Sequence, residues 1–102
     1  MGNAARKAIH HITIIPRCDV APRDCHSNRK DTVEWHNTLD KAVTIKFWDE
    51  SLFGVNSLLV EAGERETLDI LESAPTGNHE YDVSCGPGMP GPRIIVNPPN
   101  GD

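Results

Sequence analysis

Apolar and polar residues alternate with a period of two along most of the chain. Residues 32–37 read T-V-E-W-H-N, with Val33 and Trp35 on one side and Glu34 and His36 on the other. Residues 42–48 repeat the pattern, with Val43, Ile45 and Phe47 inward and Thr44 and Lys46 outward. Residues 66–71 set Leu68 and Ile70 inward, and residues 79–84 set His79, Tyr81 and Val83 against Glu80, Asp82 and Ser84. Successive side chains of a strand point to opposite faces of its sheet, so each run predicts a half-buried strand. Residues 8–15, 25–27, 57–60 and 94–96 add further strands.

Turn residues separate these runs. Pro16 stops the first, and residues 17–24 form a turn-rich connection. Residues 38–41 and 61–64 are turns, 72–78 a loop, and 49–56 an irregular stretch with room for one helical turn. Between Gly86 and Pro92 lie three Gly and three Pro, which excludes helix and demands a shaped turn. The prediction is an all-β chain, a Greek-key β-sandwich of about seven to eight strands. Residues 1–7 read as a disordered lead, 8–96 as one domain and 97–102 as a tail. Trp35, on a central strand, is predicted to be buried with its indole N–H on an acceptor.

Composition narrows the function. With 37% apolar residues and five aromatic side chains, the core must lean on Val, Ile and Leu. The formal net charge is −5 and the basic residues are scattered, so no clustered basic face points to nucleic acid. No apolar run approaches the roughly 18 residues of a membrane span. The short polar start carries no secretory h-region, which is what a chain beginning after a removed signal would show.

Candidate chemistry is sparse. Cys18, Cys25 and Cys85 form no C-x-x-C, which argues against zinc and thioredoxin-like sites. Their odd count permits one disulfide with one free thiol, or three free thiols. Cys25 on an inward position acts as a small hydrophobe. His10 and His11 are neighbours on one strand and point apart, so they do not chelate together. No serine carries a nucleophile motif, and the chain is not read as an enzyme.

The order and spacing of several short motifs resemble the cupredoxins, the small blue-copper β-sandwiches. Pro22, Cys25, Ser27 and Asp31-Thr32-Val33 fit one family pattern, and Trp35 and Asn37 match its Trp-x-Asn. Val60 with Ala62-Gly63-Glu64 matches its Val-x-x-Gly-Glu turn. Gly77, Tyr81, Gly88-Met89, Gly91, Ile94 and Val96 match its closing hairpin. The similarity spans roughly residues 8–96.

The resemblance implies a copper site whose ligands this chain has largely replaced. A type 1 centre uses two His nitrogens and one Cys thiolate, usually with a weak axial Met. The family's first His falls on Val43, or on Ala42 if the register slips, its Cys on Val83 and its second His on Gly86. Met89 alone keeps its place, and Cys85 sits two residues late. The resemblance also brings Cys18 and Cys85 to the same end of the sandwich, where a bridge would tie two loops; the rival pairing is Cys25 with Cys85. The reading is therefore a cupredoxin-like binding or structural module that has lost type 1 copper. Its Gly86, Pro87, Gly88 and Pro90 loop would face a protein partner or a larger assembly, in the periplasm or outside the cell. The alternative is a copper carrier or atypical electron-transfer protein using Met89, Cys85 and a distant His such as His79, His11 or His36. A third reading has a partner protein supply the missing ligands.

Overall fold

The structure, a computed structural model, describes residues 8–85 and 91–98. Among the described residues nine strands follow in order: β1 (Ile9–Ile15), β2 (Asp19–Ala21), β3 (Asp24–Ser27), β4 (Thr32–Asn37), β5 (Val43–Phe47), β6 (Ser57–Val60), β7 (Arg65–Asp69), β8 (Gly77–Val83) and β9 (Arg93–Val96). They build two sheets, β2-β1-β4-β7 and β3-β9-β8-β5-β6, packed as a Greek-key sandwich. Two pairings are parallel, β1 with β4 and β3 with β9, and the rest are antiparallel.

The strand count exceeds the sequence expectation because β2 lies inside the connection read as turns. Only Val20 of its three residues is buried, so no alternation announces it. His26 stands exposed on β3, which covers the strand expected over residues 25–27. The alternating strands carry the core: Val33, Trp35, Val43, Ile45, Phe47, Tyr81, Ile94 and Val96 all point between the sheets. Ile70 is buried just past β7, and Leu68 packs partly buried against the same cluster.

Trp35 is fully buried at the centre, with its ring centroid 5.7 Å from Phe47, 5.6 Å from Phe53 and 5.8 Å from Tyr81. The acceptor expected for its indole N–H is missing. Trp35 Nε1 and Tyr81 OH are both buried without a hydrogen-bond partner among the described residues. Burial drives the Tyr81 phenol pKa far up, and the nearby indole N–H offsets this only in part without reaching hydrogen-bond geometry. Aromatic edge-to-face packing, not a polar pair, holds this part of the core.

The closing hairpin depends on one glycine. A Cβ on Gly91 would stand 2.7 Å from the Tyr81 carbonyl oxygen, so only glycine lets β9 approach β8 there. Tyr81 N–H then donates to Pro92 O at 3.1 Å.

Candidate functional site

The site the sequence points to lies where β1, β4, β5 and β8 converge. β1 runs parallel to β4, pairing Ile14 with Asn37, so the turn after β1 and the turn after β4 share one end of the molecule. β8 runs antiparallel to β5 and pairs Val83 with Ile45. Ser84 extends the ladder, donating its N–H to Thr44 O at 2.8 Å and accepting from Thr44 N–H on its hydroxyl at 3.0 Å. This brings Cys85 beside the start of β5.

Across the gap, residues Pro16–Cys18 form a 3-10 turn in which Arg17 and Cys18 both adopt left-handed backbone, φ 74° and 57°. Neither is glycine, so each carries local strain. The turn aims Cys18 at Cys85, and the two form a disulfide with a Cα–Cα distance of 5.7 Å. The bridge joins a turn of the first sheet to the hairpin of the second. Cys25 is the remaining cysteine, free and buried, and burial pushes its thiol pKa up, so it stays protonated in the core.

At the same end of the sandwich, Asn37 ties the surrounding turns. Its fully buried amide donates to Lys41 O at 2.8 Å, Val60 O at 3.1 Å and Glu61 O at 3.2 Å, while its oxygen accepts from Leu39 N–H at 2.9 Å. Thr38 donates its hydroxyl to Ile14 O at 2.5 Å. Val43 and Val83, the positions where the resemblance expects a His and a Cys, are buried and join the hydrophobic core.

The candidate metal residues do not gather. Cys85 sulfur is committed to the bridge and offers no thiolate. His79 lies six residues up β8 from Cys85, about 20 Å away along an extended strand. It is buried, its Nε2–H donates to Pro75 O at 2.7 Å, and its Nδ1 faces Asp49 Oδ2 at 3.4 Å without a hydrogen bond. His11 is exposed and bonds Glu34 at 2.8 Å, and His36 stands on the first sheet opposite Arg65. Among the described residues no three His, Cys, Asp or Glu side chains cluster as a metal site. The donor set these residues offer does not fit type 1 copper, which needs imidazole and thiolate together. Met89 and the loop residues Gly86, Pro87, Gly88 and Pro90 lie outside the described residues.

Two features escaped sequence reasoning. Asn37 was matched only as a motif residue, and nothing in the sequence marks its hold on three carbonyls. Trp48 continues the outward series of Thr44 and Lys46, so the period itself flags an exposed tryptophan. Its bond from Nε1 to Asp82 Oδ2, 3.0 Å, needs the β5–β8 register.

No family model and no curated protein matches the sequence. Solved structures do. A proline-to-glycine mutant of amicyanin in its reduced Cu(I) form at pH 4 is 21% identical, with a TM-score of 0.66 over 92% of this chain and 86% of that one. A methionine-to-alanine mutant of amicyanin in its Cu(I) form is 21% identical, with a TM-score of 0.67 over the same shares. A purple cupredoxin from Nitrosopumilus maritimus is 19% identical, with a TM-score of 0.65 over 86% of this chain and 99% of that one. Identity this low speaks for architecture alone, and on that ground the chain has the cupredoxin fold.

Proposed function

We propose that this chain is a cupredoxin-like binding or structural module, spanning residues 8–96, in which a disulfide has taken over the end of the sandwich that a type 1 copper would hold. The observation that carries the reading is the Cys18–Cys85 bridge, set beside buried valines at two expected ligand positions. The loop containing Gly86, Pro87, Gly88 and Pro90 then serves a protein partner or a larger assembly, with no catalysis of its own. The bridge also supports an oxidising compartment, the periplasm or the exterior. No helix among the described residues is long and apolar enough to cross a membrane.

Titration of the intact chain with Cu(II) tests this. The expected result is no intense thiolate-to-copper absorption, together with a native mass two protons below the fully reduced, metal-free chain. An intense blue band on stoichiometric copper would overturn it.

The copper-bearing amicyanin neighbours favour a second reading, a copper carrier or electron-transfer protein built on Met89, Cys85 and a His. It requires the bridge to open first. A calorimetric Cu(I) titration of the reduced chain with no binding tighter than about micromolar would end it.

A further inference from the structure

We propose that Trp48 and the carboxylates around it form a docking site for a cationic side chain of a protein partner, an arginine or lysine laid over the indole ring. This surface lies on the outer face of the five-stranded sheet and is independent of the disulfide end and of any metal.

Trp48 is 63% exposed, an unusual position for the most interface-prone side chain. It is nevertheless held. Its main-chain N–H donates to Glu80 O at 3.2 Å, and its indole Nε1–H donates to Asp82 Oδ2 at 3.0 Å. A ring fixed this way loses little freedom when a partner covers it, which favours binding. The β5–β8 register pairs Lys46 with Asp82 and Phe47 with Tyr81, so the next position sets Glu80 across from Trp48. Asp82 Oδ1 is buried and without a hydrogen-bond partner among the described residues.

The charges around the ring choose the occupant. Glu80 and Asp82 stand beside it on the sheet, whereas Asp49, next in the chain, turns its carboxylate to Ser51 and His79. The same face carries Lys46, opposite Asp82, and Arg93, opposite Glu80, but Asp24 already holds the Arg93 guanidinium with two bonds of 3.1 Å. The negative face of an indole flanked by carboxylates attracts a cation and repels an anion. A sheet face gives no cavity to enclose a small molecule, so the cation belongs to a side chain that brings its own surface.

The test titrates the full-length oxidised chain with an acetylated, amidated hexa-arginine peptide and follows tryptophan emission. Trp35 is fully buried and serves as an internal reference, so the exposed component reports Trp48. The expected result is a saturable, salt-weakened change at sub-millimolar peptide. Trp48→Leu should weaken binding, read by calorimetry, about ten-fold, the scale of one desolvated cation–π contact. Trp48→Tyr should retain most of the affinity, and Glu80→Gln should lose part of it. A far-UV dichroism spectrum and urea midpoint matched to the parent certify the fold of Trp48→Leu. Unchanged affinity in Trp48→Leu, no saturation by millimolar peptide, or an equal response to hexa-glutamate or cellohexaose would each overturn the proposal. So would concentration-dependent self-association that buries Trp48 without peptide.

Discussion

At one end of the sandwich the turn after β1 and the closing hairpin are joined by the covalent Cys18–Cys85 bond. At the other end the turn before β4 and the start of β1 meet on a single carboxylate. Asp31, only 5% exposed, accepts from His10 Nε2 at 2.8 Å, Asn28 N–H at 2.9 Å and Ala8 N–H at 3.2 Å. His79 and Asp49 face each other at that end too. The first end uses sulfur and a neutral amide, and the second uses carboxylates and imidazoles. One therefore answers to reductant and the other to acid, although both fasten loops at an end of the sandwich.

Cutting the bridge should produce the largest effect. The cysteines are 67 positions apart, a closure worth about 4 kcal/mol in the chain-entropy model. Urea unfolding of the Cys18→Ser, Cys85→Ser double variant at neutral pH should show a loss of that order, and reductant should leave the variant unmoved. A loss under about 1 kcal/mol would mean that Asn37 and the core hold this end without the bridge. Asn37→Ala is the next largest. It strips the donor from the buried Val60 carbonyl and from the part-buried carbonyls of Lys41 and Glu61, and should cost about 2–3 kcal/mol, with little dependence on pH. A strong pH dependence in that variant would erase the contrast between the two ends.

How far these ends were legible in sequence follows from what each depends on. β4, β5 and β8 could be read because a half-buried strand must alternate, and Val33, Trp35, Val43, Ile45, Tyr81 and Val83 do alternate. The replaced ligand positions were legible for a related reason, since a valine at 43 cannot coordinate a metal whatever its surroundings. The disulfide partner was not fixed by the residues themselves. Whether Cys18 or Cys25 meets Cys85 depends on which sheet each strand joins. β3 carries Cys25 inward against Ile94, whereas the turn after β1 carries Cys18 to the rim. β2 was hidden by its single buried residue. The missing acceptor for Trp35 was equally invisible, because it depends on how four aromatic rings tilt against one another.

The acid-sensitive end gives smaller and more conditional effects. Burial alone would raise the Asp31 pKa, but the bonds from His10, Asn28 and Ala8 outweigh it and hold the carboxyl below its ordinary value. A depressed carboxyl contributes stability that is complete above its unfolded pKa of about 3.9 and disappears as pH falls through the folded value. Asp31→Asn should therefore cost about 2 kcal/mol near neutrality. The gap from the parent should close below about pH 4. Urea midpoints measured across that range check both features, and a gap that persists in acid would assign the effect to lost packing.

Asp49→Asn should be the weakest of the four, although its carboxyl also lies below the ordinary value. The main cause there is local: Ser51 Oγ–H at 2.6 Å and Ser51 N–H at 3.0 Å both donate to Oδ1, while His79 contributes less. Asp49 is about half exposed, so water screens the attraction and replaces part of what is lost. An asparagine oxygen can still accept from Ser51. The expected cost is under about 0.5 kcal/mol at pH 7, and the sign of its pH dependence matches that of Asp31. Nuclear magnetic resonance of the His79 ring sharpens the measurement, because Nε2–H stays on Pro75 O while Nδ1 loses a facing negative charge. If Asp49→Asn instead costs as much as Asp31→Asn, then the 3.4 Å approach to His79 outweighs the local bonds from Ser51, and the acid-sensitive end rests on two carboxylates of equal weight.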